Sequence, residues 1–572
     1  MSGSVINRIT AAPPQAGHRI SFLRLDGAHT TSLTDLHAAA ERLARGLRDL
    51  GIGPADRIGI LASNCLEWVL LDLAALRLGA VTAGFEPGKF DPDAALLTRY
   101  RLAVLFTDRQ AVSTASGDGG GTAGGQGDGT ASGHDGGSTT SGHGGGTAGG
   151  LGIRPVGDVA RLIKNASLAS PLPAAAYGPR DVTTIKFTSG STGEPKGLAA
   201  TVGSIDSSIN AVQQIFEHRD GDNLLVFLPL SLLQQRYWIY SALCYGHDVT
   251  VSTYEAAFAA LRRVRPTVVM GVPAFYETAR KHIERAAQAA ASGRPPMQAP
   301  GQPPGQAPGQ PAGPPPGHEL RAAAQGLFGD RIRYLWTGSA PARPSMLRFF
   351  SEAGLPIYEG YGLNETCIVS NNHPRAHRPG SVGQVLPGKK VLLDADGLIS
   401  VYSEHPVNWR YEYAAPGESD RVFGTDGTVR TGDLGYIDDD GFLFIRGRAD
   451  DVIVLDNGKK VIVRPLEEYL KASPAIEECV VFCRRQTRLV AVVSPAGEPA
   501  DAEAITARLA AANATFSRDE QIDGVVIAPE RFSIDNGMLT SQFKPRRKQI
   551  LRAHLARIDA VRRPEETTGD GS

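Results

Sequence analysis

Ten consecutive residues, Thr188-Ser-Gly-Ser-Thr-Gly-Glu-Pro-Lys-Gly197, combine three glycines, four hydroxyl side chains and one lysine. Glycine opens backbone conformations closed to other residues, so successive amides of such a loop can converge on one anion. The hydroxyls of Thr188, Ser189, Ser191 and Thr192 add donors, and Lys196 adds a point charge. The chemistry this composition suits is phosphate binding. A flexible Ser/Gly linker would not follow a β-rich run such as Thr183-Thr-Ile-Lys-Phe187, nor end in Pro-Lys-Gly. Gly190, Gly193 and Lys196 do not fit GxxxxGK[ST], so a nucleotide site is expected that is not a Walker loop.

The elements that must hold this loop follow from patterning. At 572 residues the chain exceeds one core, so two or more domains are expected. Hydrophobic residues make up 42% and charged residues 21%, as in soluble globular proteins. A formal net charge of −1 leaves no basic excess for a nucleic-acid partner. Cys65, Cys244, Cys367, Cys479 and Cys483 are scattered and odd in number, which fits a reducing cytoplasm. Cys479 and Cys483 read as core residues, not metal ligands. The N-terminus lacks the apolar region of a signal peptide. The longest apolar run, Leu66 to Val81, is interrupted by Glu67, Asp72 and Arg77 and reads as an amphipathic helix, not a membrane span.

Leu36, Ala40, Leu43, Leu47 and Leu50 predict a helix over 32–50, capped by Ser32 or Thr34. Buried strands are expected at Arg57–Ala62, Ala80–Phe85 and Ala103–Thr107, at Asn223–Leu230 with an interruption near its end by Pro229, and at Thr267–Val272, the last turning into a helix at Pro273. Strand, helix, strand at this pitch implies a parallel sheet with crossover helices. Residues 111–150 are Gly-rich: Ser116–Gly125 recurs as Ser141–Gly150 with one change, Asp118 against His143. With nothing to bury, this segment is expected to be a disordered insertion within a domain. Residues 292–317, with Pro-Gly-Gln starting at Pro300, Pro304 and Pro308, read as a second one.

The 188–197 loop resembles the phosphate-binding loop of the adenylate-forming superfamily: acyl- and aryl-CoA synthetases, peptide-synthetase adenylation domains and luciferases. Ala55-Asp56-Arg57-Ile58 and Asn64-Cys-Leu-Glu67-Trp68 are similar to segments of its acyl-CoA synthetases. Ser231-Leu-Leu-Gln-Gln-Arg-Tyr-Trp238 is similar to a long-chain acyl-CoA synthetase segment, with Leu232 at its histidine and Gln235 at its glutamate, while Arg236 is kept. Tyr334-Leu-Trp-Thr-Gly-Ser-Ala-Pro341 resembles the turn in which Gly338, Ser339 and Ala340 would line the adenine and acyl site. Leu232 and Trp336 would stand at the acyl end. Glu359-Gly-Tyr-Gly-Leu-Asn-Glu-Thr366 matches the family motif except for Asn364. It implies that Glu359, Gly360, Tyr361, Gly362 and Asn364 line the nucleotide, with Tyr361 stacked on adenine and Asn364 donating to the α-phosphate. Glu365 would hold Mg2+, which prefers hard oxygen ligands.

Thr428-Val-Arg-Thr-Gly-Asp433 implies a carboxylate accepting hydrogen bonds from the ribose diol. Asp439 to Ile453 resembles the domain junction, with Arg448 on the ribose and Asp450 as hinge. Gly458 would line the thiol tunnel, and Lys544, in Asn536–Lys548, would bridge the carboxylate and the α-phosphate.

The implied fold is α/β: a large N-terminal adenylate-forming domain over 1–447, with parallel or mixed sheets and crossover helices, and a small mobile α+β C-terminal domain over 448–572. The implied activity is that of an ATP-dependent acyl-CoA ligase of the long-chain fatty acid type. It would use ATP, Mg2+ and CoA, and be cytoplasmic without a transmembrane segment, leaving peripheral membrane contact open. Two alternatives stand beside it: loading of an acyl carrier protein's phosphopantetheine, and a non-catalytic nucleotide- or acyl-binding homologue.

Overall fold

The computed structural model describes residues 3–110, 151–167, 172–189, 195–291, 317–484, 486–540 and 543–561. Gly190, Ser191, Thr192 and Gly193 of the phosphate-loop reading lie outside these, as do 111–150 and 292–316 of the two insertions. Gly317, the last residue of the second expected insertion, opens the helix Gly317–Phe328.

Helix Leu33–Asp49 forms where the spacing places it, with the Ser32 hydroxyl accepting from the Asp35 amide at 2.9 Å. Strands Arg57–Leu61, Val81–Phe85, Val104–Thr107 and Ile153–Pro155 pair in parallel, and Val182–Ser189 joins them, in a six-stranded sheet. Pro195–Thr201 closes one edge of that sheet antiparallel. A nine-stranded sheet follows, whose strands Asn223–Val226, Asp248–Ser252, Val268–Gly271, Tyr334–Thr337 and Ile357–Leu363 are parallel. The central parallel strands of both sheets are buried on both faces, as parallel sheets require. Leu224, Val226, Val268 and Met270 point into the core shared between the sheets, while Leu225, Phe227 and Val269 point into an outer helical layer. Helices Leu33–Asp49, Leu66–Leu78, Val202–Phe216 and Leu233–Tyr245 fill the shared core.

Two expectations need correction. Helix Leu66–Leu78 has the expected span but is buried on nearly every side, so it is not amphipathic. Asp72 does not mark a wet face: its Oδ1 accepts from Arg236 Nη1 at 2.9 Å and its Oδ2 from the Tyr240 hydroxyl at 2.5 Å, all inside the core. The strand expected over Asn223–Leu230 stops at Val226. Pro229 has no amide to give a ladder, and Asn64 takes over the chain end, accepting from the Leu230 amide and donating to the Leu228 carbonyl.

A four-stranded antiparallel sheet, Lys389–Leu393, Leu398–Ser403, Thr428–Ile437 and Leu443–Arg448, completes the first part of the chain. Beyond it, Ile476–Arg484, Arg488–Pro495 and Ile522–Ile527 form a three-stranded sheet with separate cores on its two faces. Cys479 sits in one of these cores, and Cys483 packs against it. No helix of the described residues is long and apolar enough to cross a membrane.

Candidate active site

One hairpin organises the candidate residues. Strands Ile357–Leu363 and Cys367–Asn371 pair antiparallel, and Asn364, Glu365 and Thr366 form the turn between them. On the turn, Glu365 Oε1 accepts from the Tyr411 hydroxyl at 2.7 Å. The Lys196 ammonium stands 5.3 Å from the centre of the Tyr411 ring and 3.0 Å from Glu418 Oε1. Lys196, at the C-terminal side of the phosphate loop, and Glu365 therefore share one neighbour. Thr188 and Ser189 end the strand that leads into the loop.

On the same hairpin, the Tyr361 hydroxyl donates to Asp433 Oδ2 at 2.6 Å, and Arg448 Nη1 donates to Asp433 Oδ1 at 3.0 Å. Burial raises the Tyr361 pKa and the Asp433 charge raises it further, so the phenol stays a donor. Gly432 holds the Asp433 turn at φ +71, and a Cβ there would stand 2.9 Å from the Arg448 guanidinium. Glycine is thus needed both for the left-handed backbone and for the approach of the arginine. Gly360 is constrained differently: a Cβ would meet Asn371 Oδ1 at 2.0 Å and Trp336 Nε1 at 2.6 Å.

Lys544 lies within the electrostatic field of this second cluster. Its side chain keeps solvent contact, yet the protein crowding its ammonium lowers its pKa, with the Asp433 charge opposing and the Arg448 charge adding. Its turn is held by hydrogen bonds between Thr540 and Lys544, and the Phe543 ring lies 6.0 Å from Tyr254 of the first part of the chain. Arg343 also reaches across to the Glu477 carbonyl.

Other expected residues stand apart or at the margin. Gly338, Ser339 and Ala340 follow strand Tyr334–Thr337, with Ser339 at φ +69. Trp336 lies in the core between Phe216 and Trp238, each ring centre 5.4 Å away. Leu232 is half-buried as the N-cap of helix Leu233–Tyr245. Asn364 is half-buried on the turn. Asp450 is exposed, its carboxylate 4.0 Å from Arg448 Nη2. Gly458 occupies an exposed turn at φ +78 and is not brought to either cluster. Tyr411 and Glu418 were not expected at all, and no periodicity or spacing around them marks a role.

Burial raises the Glu359 pKa from 4.5 to about 7, against the pull of its bond from the Ala342 amide and of the Arg464 charge. A carboxyl whose folded pKa lies above its unfolded one loses stability as pH rises through that window, here about 4.5 to about 7. Glu359→Gln removes this slope. Thermal melts should show the variant gaining a few degrees over the parent at about pH 8 and much less at about pH 5. An equal difference at both pH values would refute the assignment.

A divalent ion fits this site. Glu365 is an acceptor-only carboxylate with one oxygen oriented by Tyr411 and the other not hydrogen-bonded among the described residues. No group of three or more His, Cys, Asp or Glu gathers among those residues, so an ion at Glu365 would complete its shell with phosphate oxygens and water.

A family model described as AMP-binding enzyme matches residues 10–401, and one described as AMP-binding enzyme C-terminal domain matches residues 450–566. Long-chain-fatty-acid–CoA ligase FadD15 of Mycobacterium tuberculosis is 29% identical over 588 residues, covering 95% of this chain and 94% of that one. Long-chain-fatty-acid–CoA ligase 1 of Homo sapiens is 24% identical, covering 88% and 78%. Among solved structures, anthranilate CoA ligase AuaEII in complex with anthranoyl-AMP superposes with a TM-score of 0.73 at 18% identity, covering 97% of this chain and 98% of that one. O-succinylbenzoate CoA synthetase from Bacillus subtilis, in complex with ATP and magnesium ion, gives 0.70 at 19%, covering 96% and 98%. At such identities these structures establish a common fold.

Proposed function

Because the chain belongs to the AMP-binding enzyme family, we infer that it is an ATP-dependent acyl-CoA ligase acting on a fatty carboxylic acid. The carboxylate attacks the α-phosphorus of ATP, forming acyl-AMP and expelling pyrophosphate. A thiol then attacks the acyl carbonyl and releases AMP. The observation that carries the reading is the single hairpin that unites Lys196, Tyr411 and Glu365 with Tyr361, Asp433 and Arg448.

Each group acts mainly by position and charge. The 188–197 loop and Lys196 grip the leaving pyrophosphate, with Lys196 exchanging Glu418 for phosphate oxygens. Asp433 accepts from the ribose diol, with Arg448 beside it. Tyr361 and the Gly338–Ala340 turn flank the base, and Asn364 donates to the α-phosphate. Glu365 would hold Mg2+, which when bound would supply charge neutralisation at the phosphates. Lys544 meets the charge that develops between carboxylate and α-phosphate. The reading divides the chain at 447/448. A turn at Asp450 then withdraws Lys544 and brings the Gly458 loop toward a thiol path. Leu232 and Trp336 border the acyl end in this scheme, and a cytoplasmic location goes with it.

A panel of carboxylic acids, with pyrophosphate release as readout, tests the first step. Acid-dependent release followed by acyl-CoA formation on adding CoA is expected. Loading of a carrier protein's phosphopantetheine without acyl-CoA would transfer the reading to that acceptor. No release with any acid would refute the enzyme and favour a nucleotide-binding homologue.

A further inference from the structure

The three sheets of the first part of the chain meet at one buried point directly behind the Glu365 turn. Lys186 comes from the inner face of Val182–Ser189, the strand entering the phosphate loop, and is 3% exposed. Cys367 opens strand Cys367–Asn371 of the nine-stranded sheet and is fully buried. Lys389 opens strand Lys389–Leu393 of the four-stranded sheet. Lys186 Nζ lies 3.8 Å from Cys367 Sγ, and the Tyr237 hydroxyl lies 3.1 Å from the same sulfur. The Lys389 ammonium donates to the Thr366 carbonyl, one residue beyond Glu365.

Two features set this cluster apart from ordinary packing. Among the described residues neither ammonium has a carboxylate within ion-pairing distance, although Lys186 is buried and Lys389 half-buried, and burying a cation is costly without one. Cys367 also holds φ at +54, in the left-handed region that a residue other than glycine keeps only when its surroundings enforce it. Here the enforcing contacts are visible: Lys389 pulls on the carbonyl before Cys367, while Lys186 and Tyr237 pin its side chain. The hairpin's register shifts at Tyr361/Gly362, so strand pairing alone does not fix the turn.

We propose that Lys389 and Lys186 are positioning residues for the metal-binding carboxylate: through the Thr366 carbonyl and the Cys367 sulfur they lock the Asn364–Thr366 turn, aiming Glu365 at the phosphate loop. The proposal rests on the reading of Glu365 as the Mg2+ ligand. It assigns to a buried cluster, outside the motifs that carry the chemistry, control over how tightly Mg2+ and ATP are held together.

The test is calorimetric titration of ATP into the full chain, without acid, across a series of Mg2+ concentrations. Glu365→Gln sets the scale. Lys389→Met should raise the Mg2+ concentration for half-maximal ATP binding by about tenfold or more, the usual cost of losing a residue that orients a metal ligand. Lys389→Arg, which keeps a donor for Thr366, should restore most of that loss. A shift with Glu365→Gln but none with Lys389→Met overturns the positioning role and leaves the proposed function standing. No shift with Glu365→Gln overturns the metal-ligand reading itself, and the proposal with it. If Lys389→Met does not fold, Cys367→Ala decides: it should move the Mg2+ dependence the same way, and an unchanged dependence overturns the proposal.

Discussion

Lys544→Ala is expected to abolish acid-dependent pyrophosphate release while leaving the conversion of supplied acyl-AMP to acyl-CoA intact. The ammonium stands in the field of Asp433 and Arg448, on a turn held by Thr540 and docked through Phe543 against Tyr254. There it is placed to meet developing charge between the carboxylate and the α-phosphate. Removing one such donor typically costs about 10²–10³ in rate. The second half-reaction does not call on it, so the two assays separate a chemical role from a general loss of fold. Because crowding lowers the lysine's pKa, adenylation by the parent should fall with rising pH before an ordinary lysine would titrate. Unchanged pyrophosphate release in Lys544→Ala would sink the assignment.

The largest effect on stability is expected from Asp72→Ala. Asp72 and Arg236 are almost fully buried, with side-chain exposures of 4% and 1%, and the same carboxylate takes the Tyr240 hydroxyl. Arg236 also reaches Thr82, and Thr82 in turn bonds Thr184 on the strand that enters the phosphate loop. Removing the carboxylate strands a guanidinium in the core, which generally costs about 3–5 kcal/mol. Replacing both partners by apolar residues should recover much of the loss, because no uncompensated charge then remains. Denaturant melts of Asp72→Ala and of Asp72→Leu/Arg236→Met test this. A loss in the single variant no larger than that of an exposed ion pair, about 1 kcal/mol, would refute it.

What the sequence makes legible and what it hides divide along chain separation. Helix Leu33–Asp49 with its Ser32 cap, and the alternation of strand and crossover helix, depend on near neighbours and can be read directly. So can residues carried by continuous motifs: Tyr361, Asp433 and Arg448 come together, and Glu365 sits on the turn of the hairpin that carries Tyr361. Asp72 looks like a polar interruption on an amphipathic helix because its partner, Arg236, lies far along the chain. Asn64 shortens the strand at Asn223 by a contact that no local pattern announces. Tyr411 joins Lys196 to Glu365 from a stretch without regular periodicity, and Lys186, Cys367 and Lys389 come from three different sheets. Each of these is a tertiary event, settled by which surfaces meet and not by which residues adjoin.

The edge of the six-stranded sheet limits how the chain can be shortened. Val104–Thr107 and Ile153–Pro155 run side by side in the same direction, with Thr107 opposite Pro155. A connection between parallel neighbours needs about a dozen residues or more. A trimmed protein therefore needs a link long enough to keep Ile153–Pro155 parallel to Val104–Thr107. A two-residue turn in its place would force the outer strand to reverse direction, and Ile153 would lose its register beside Leu105. The direction of Ile153–Pro155 beside Val104–Thr107 is therefore part of the architecture, and any shortened link has to preserve it.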